Sequence, residues 1–502
     1  MSIMTLPTEL QNLQGTLETY GRDFGLDFCE VRFQMLDYNM LNQVAAYDGF
    51  PNRYPHWRFG MEYERLSKSY AYGLHRIYEM VINTEPCIAY LLASNQLVDQ
   101  KLVMLHVFGH CDFFQNNLWF AHTNRKMLDE MANHATRIRR HTNRYGIDEV
   151  EDFIDACLSL DNLIDIHAAG VRRRPVARPD DPEHQQAVYK IPAKDYMDAF
   201  INPPEFLAEQ LRRMALEQER RKRIPEEPER DILLFLLENA PLENWQHDIL
   251  DIIREEAYYF APQRQTKIMN EGWASFVHSR LMTQRALEPN ELIDYAEHHS
   301  GTVATQPGRL NPYKIGLELF RDIEDRWNRG AFGAEYEACE DLQTRQNWDL
   351  QLGLGKEKVF EIRKIYNDVG FIDEFLTEDF ARRNKLFTFD YNDVTDQYEI
   401  SGRQFDEIKR RILFQLTNFG QPIIEVVDGN YENRGELYLM HRYEGIDLDI
   451  PYAQGTLRNL YQLWGRPVYI ETIVDGEVKM LFSFGPEGDG RRKLSGDVEE
   501  SD

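Results

Sequence analysis

Two histidines one helical turn apart, His106 and His110, are the side chains in this chain best placed for chemistry. On an α-helix, positions i and i+4 share a face, so both imidazoles can reach one metal ion through bonds of about 2.0–2.1 Å. The plain alternative is a pair of structural histidines. The flanks favour the first reading. Leu-Val-Met-Leu precedes His106 and Phe113-Phe114 follows His110, so the helix belongs in a core. Asp112 and the pair Asn116-Asn117 lie on the same segment. Buried polar side chains require partners.

A second cluster runs from Asn270 to His278. Glu271 and His278 are seven residues apart and share a helical face. Gly272 and Ala274 between them are small enough for close helix packing. Glu271 can supply a third ligand, and His278 a fourth ligand or a proton carrier. Asn270 and Trp273 are candidates for contact with a substrate. A third cluster contains His298 and His299, of which one is expected to face inward; His299 is the candidate to join the centre. A fourth, Tyr54-Pro55-His56-Trp57-Arg58-Phe59-Gly60, suggests a shaped loop rather than a helix, with His56 or Arg58 meeting an anionic substrate group. His167, close to Asp165, is expected to be structural. The chain has no P-loop, no Gly-x-Gly-x-x-Gly after a strand and no Gly-x-Ser-x-Gly elbow.

Helices must position these groups. Amphipathic patterns predict helices over 5–27 and 61–80. A strand pair follows, Tyr78–Asn83 and Cys87–Ala93, around a turn at Thr84-Glu85-Pro86. The His106 helix comes next, then helices to about 168. Segments 171–194 and 216–230, rich in Pro and charge, are expected as surface loops, and helices resume from 231 to about 380. Strand-like runs begin near 386, interrupted by helices at 401–418 and 453–465. The expectation is a mainly α core domain with a small β-sheet over 1–385, a small α+β domain over 386–485, and a disordered acidic tail over 486–502.

The bulk composition sets limits. A chain of 502 residues calls for two or three domains. With 42% hydrophobic and 12% aromatic residues it can bury a large core. A net charge of -27 disfavours general binding to nucleic acid or anionic lipid. Five scattered cysteines, with no Cys-x-x-Cys pair, point to a reducing compartment and thus to the cytoplasm. The first residues lack the basic start and apolar run of a secretory signal, and no apolar stretch is long enough for a membrane span.

Five segments together resemble the stage V sporulation protein R family: Tyr54–Leu66, Glu79–Leu92, His106–Asn117, Phe260–Met282 and His298–Ile323. The resemblance extends over roughly residues 5–480. It implies a bacterial protein linked to sporulation and the spore cortex, a modified peptidoglycan, although the family is also widespread in bacteria that form no spores. A more distant resemblance joins His106-x-x-x-His110 and Asn270-Glu271 to the gluzincin metallopeptidases. It implies a zincin-like core in which His106, His110 and Glu271 hold a divalent metal, zinc by analogy, with iron or manganese as alternatives. The strand pair before the histidine helix is similar to the small sheet beside that site. One position departs from the pattern. The zincin general base follows the first histidine, and here that residue is Val107, which takes no proton. Candidates to replace it are Asp112, Glu255, Glu256, His278 and His299. The function expected is a metal-dependent hydrolase acting on a small molecule, a peptide or a peptidoglycan-related substrate. The alternatives are a non-haem iron or manganese enzyme with the same ligand set, and a non-catalytic scaffold stabilised by metal, whose C-terminal domain binds a protein partner.

Overall fold

The computed structural model describes residues 6–71, 79–168, 223–304, 309–392 and 397–494, with short pieces between 197 and 212. The segment expected as a loop at 171–194 and the first part of that at 216–230 lie outside the described residues. The fold is mainly α with small sheets and a sheet-rich C-terminal domain. Two compact units divide the chain, one of residues 1–146 and 258–420, the other of 147–257 and 421–502.

In the first unit, the histidine helix Leu97–Asn116 is buried on nearly every side. Its sequence allows this, because the residues around His106 and His110 are Val103, Met104, Leu105, Val107 and Phe108, all members of the main core. The glutamate helix Lys267–Leu281 is also buried along most of its length. Its first turn is capped from a distant part of the chain: Asp368 accepts hydrogen bonds from the N–H groups of Ile268 at 2.7 Å and Met269 at 2.9 Å. A third helix, Pro312–Arg329, is started by Asn311, whose side chain accepts from Lys314 N–H.

Small residues let these three helices approach backbone to backbone. A Cβ added to Gly109 would sit 2.7 Å from Ala274 Cα, and one added to Gly272 would sit 2.5 Å from the backbone of Gly316. Gly316 is tighter still against the carbonyl of Ile268. Glycine is therefore required at these contacts, and the expectation of close packing at Gly272 and Ala274 holds.

The small sheet has the order β1-β3-β2, with β1 (Val31–Leu36) parallel to β3 (Cys87–Leu92) and β2 (Glu79–Ile82) antiparallel to it. The β2–β3 pair was expected, whereas β1 was not: its partner lies more than fifty residues away, and no turn signal announces the pairing. A second difference concerns Tyr54–Gly60. A helix begins at Trp57 and runs to Ala71, so only residues 54–56 form the loop expected there. Strands β4 (Thr388–Asn392) and β5 (Gln397–Gly402) form a separate hairpin in this unit, beside the helix Phe405–Leu416.

The second unit contains a five-stranded sheet of order β10-β9-β8-β7-β6. Its strands are β6 (Ile424–Tyr431), β7 (Glu436–His441), β8 (Val468–Val474), β9 (Val478–Gly485) and β10 (Gly488–Lys493). The helix Ile450–Trp464 joins β7 to its parallel neighbour β8, as a crossover requires. Strand β10 corrects the expectation of a tail from 486: Pro486-Glu487 make a two-residue turn and the chain returns along β9. Among the described residues, no helix is long and apolar enough to cross a membrane.

Candidate metal centre

The histidine and glutamate helices bring three donors to one point. His106 Nε2 and His110 Nε2 each lie 3.5 Å from Glu271 Oε2. Bonds of about 2.0–2.1 Å at tetrahedral angles separate ligand atoms by about 3.3 Å, so the spacing suits a small divalent ion better than it suits direct hydrogen bonds. His106, His110 and Glu271 thus form a group able to hold a metal ion. Both histidines are buried and Glu271 is partly exposed.

The other ring nitrogens are oriented from behind. His110 Nδ1 lies 2.9 Å from Asn270 Oδ1, which can only accept, so Nδ1 carries the proton and the Nε2 lone pair faces Glu271. His106 Nδ1 lies 2.8 Å from His278 Nδ1. One proton is shared there; when His106 offers its Nε2 lone pair, its Nδ1–H donates to His278. Such outer partners fix tautomer and ring orientation at metal sites. Burial alone would raise the pKa of Glu271, but the facing imidazoles of His106 and His110, in their protonated form, outweigh it and hold the carboxyl well below its usual range. The residues present therefore fit a divalent ion in donor type, spacing and tautomer.

His299 lies beyond His278, with ring centroids 5.7 Å apart and the planes nearly perpendicular. Burial, then the nearby Arg321 guanidinium, lowers its pKa. A cavity of about 270 Å³ opens at His299, between Tyr295, Ser279 and Arg321. His298 takes the other direction and pairs with Asp99 near the start of the histidine helix. Tyr313, in the first turn of the helix Pro312–Arg329, stacks near His106 at 6.2 Å. It was not singled out from the sequence; its place beside the Asn311-Pro312 helix start is the available signal.

The other expected site residues, Asn270 excepted, lie apart from the three donors. Asp112 and Trp273 meet each other in the core: the indole N–H donates to Asp112 Oδ2 at 2.9 Å. Arg363 lies 3.2 Å from the same oxygen, and Asp27 N–H donates to the other at 2.7 Å. Burial raises the Asp112 pKa to about 6 despite these partners. Fully buried Trp273 has no surface to offer a substrate. Asn270 orients His110, as described above. His56 is buried among the rings of Tyr54, Trp57 and Phe59, and Arg58 lies over the Phe59 ring and 3.5 Å from Asp48. Glu255 and Glu256 lie on the helix Asn244–Gln265, in the stretch that belongs to the second unit, and Glu256 is buried. Val107 is fully buried within the main core.

The SpoVR like protein family matches residues 5–421, and the SpoVR-like C-terminal domain matches 422–475. The chain belongs to the SpoVR family. The join between the two matches falls where the chain passes from the first compact unit to the second. A relative in Escherichia coli (strain K12), named only as the uncharacterized protein YcgB, is 30% identical over 504 residues, covering 93% of this chain and 92% of its own. No solved structure matches. Neither name states a chemistry.

Proposed function

We propose that this SpoVR-family chain is a metal-dependent hydrolase whose divalent ion, zinc in the first instance, is held by His106, His110 and Glu271. The observation that carries the reading is the convergence of two Nε2 atoms on one carboxylate oxygen, each 3.5 Å from it. An ion bound there supplies Lewis acidity and lowers the pKa of bound water toward about 7. The chain supplies the rest. Asn270 fixes the His110 tautomer and His278 holds His106. Glu271 contributes a charge that stays ionised throughout the neutral range. With Val107 in the core, His278 and His299 are the groups that accept and pass on a proton. His299 stands next to a cavity from which the proton can leave.

The substrate class, a peptide or peptidoglycan-related amide, is supported by the family name alone, and a cytoplasmic location favours a precursor over mature wall. The C-terminal domain is proposed to bind a protein partner. A second reading has a specific observation behind it: two histidines and one carboxylate are equally the ligand set of non-haem iron oxygenases. The test is turnover of amide substrates by metal-loaded protein, with and without oxygen. Oxygen-independent hydrolysis that His110→Ala abolishes, in a protein that still folds, supports the hydrolase. Turnover that needs oxygen and bound iron contradicts it. A folded, metal-bound protein that hydrolyses none of a broad amide panel points to a scaffold.

A further inference from the structure

Away from the metal centre, the first unit contains a larger cavity of about 600 Å³. This is within the range of small-molecule sites, about 300–1,000 Å³. Its walls are the start of the helix Pro312–Arg329, the end of the helix Glu378–Arg383, the β4–β5 hairpin and the helix Phe405–Leu416. The floor is apolar: Ile315, Phe380, Ile408 and Ile412 are all buried there. At the rim, Tyr398 and Ile400 on β5 leave large apolar surfaces exposed.

The charge of this cavity runs against that of the chain. The sequence has 84 acidic and 57 basic residues. The lining nevertheless includes Arg309, Lys314, Lys385 and Arg411 and no carboxylate among the described residues. Arg411 is paired with Asp390 at 2.8 Å. Arg309, Lys314 and Lys385 have no ion-pair partner among the described residues. Like charges gathered beside an apolar floor repel one another unless an anion joins them. The positive end of the helix Pro312–Arg329 faces the same space and adds to the field. Lys385 stands at φ 52°, a left-handed conformation in which glycine or asparagine is usual.

Of the neutral polar groups on the lining, three are already committed, and Gln415 is the other amide there. Asn311 donates to the carbonyls of Thr302 and Ala304, Asn384 to that of Phe380, and Thr388 is bonded to Ser401. Directional recognition of charge therefore falls to the cations, with Gln415 the one further amide on the lining, and most of the remaining contact is apolar. We infer that this cavity is a binding site for an amphipathic organic anion, with a carboxylate or phosphate head among Arg309, Lys314 and Lys385 and a hydrocarbon body on the Ile408–Ile412 floor. Tyr313, next to Lys314 in sequence, stacks near His106, so the site adjoins the metal centre through one helical turn. The inference does not depend on the hydrolase reading.

Calorimetric titration of the full chain with decanoate and decyl phosphate tests it, and comparing the two identifies the preferred head. One-site binding is expected for at least one of them. Affinity should rise about fourfold per methylene from hexanoate to decanoate, from about 0.8 kcal/mol per buried methylene. Decanol, acetate and inorganic phosphate should each bind at least tenfold more weakly. Lys314→Glu combined with Lys385→Glu should weaken binding at least tenfold, and the more conservative Lys385→Ala should weaken it about threefold with an unchanged unfolding temperature. The inference is overturned if neither anion binds, if decanol binds as well as decanoate, if adenosine monophosphate binds more tightly than either, or if Lys385→Ala leaves a measured affinity unaltered.

Discussion

Asn270 Oδ1 accepts the Nδ1–H of His110 at 2.9 Å, and in doing so aims the other ring nitrogen of His110 at Glu271. Asn270 and Glu271 are consecutive, so one helix supplies both the carboxylate and the group that orients its partner. Asn270→Ala should leave the metal bound but weaken it by about 10–100-fold, the usual cost of losing such a partner. Competition against a chelator of known affinity measures this. Unchanged affinity would show that His110 is oriented by something else.

The glycine contacts make a sharper structural prediction. Gly316→Ala places a methyl against the Ile268 carbonyl, and Gly272→Ala places one 2.5 Å from the Gly316 backbone. Each should destabilise the fold by about 1–3 kcal/mol or more, as overpacking does. Gly301→Ala, on a helix with open space around it, should be neutral or stabilising by up to about 1 kcal/mol. Urea unfolding of the three variants distinguishes them, and equal midpoints would refute the backbone contact.

Asp368 caps the glutamate helix from a buried position, and burial raises its pKa to about 7 against the two N–H groups and Lys267 that favour the anion. In the unfolded chain an aspartate titrates near about pH 4. Between these values the folded chain holds a proton that the unfolded chain has released. Stability therefore falls as pH rises from about 4 to 7 and levels off above. Asp368→Asn should flatten that part of the profile. Denaturation midpoints at pH 5 and 7.5 would tell, and a parallel pH dependence in wild type and variant would exclude the assignment.

Val107→Glu would write the zincin base into the sequence. Because Val107 is fully buried in the core, the new carboxylate would be stranded among apolar side chains, and the variant should lose about 3–5 kcal/mol of stability rather than gain activity. Thermal unfolding combined with a peptidase assay checks this. A stable variant with increased amide hydrolysis would mean that Val107 faces the centre after all.

Local spacing made His106, His110, Glu271 and His278 legible, because i+4 and i+7 repeats define a helix face without reference to the rest of the chain. What stayed hidden depends on distant partners. Nothing near Asp368 announces a cap for residues one hundred positions away. Strand β1 declares itself only beside β3. The polar residues of the two helices could be listed but not sorted. Asp112 and Trp273 satisfy each other in the core, and Asn270 faces the ring of His110. The chain also passes between its two units three times, and two of the crossings, at 146–147 and 257–258, fall inside a run of helices with no change in character at either point.

His106, His110 and Glu271 are proposed to hold one divalent ion. Elemental analysis of protein purified without added metal, beside His106→Ala, His110→Ala and Glu271→Ala, tests it most directly. The wild type should carry about one equivalent of zinc, iron or manganese, and all three variants should lose it while they remain folded. Metal-free wild type that also fails to take up any of these ions at pH 7.5, or metal retained by all three variants, would contradict it.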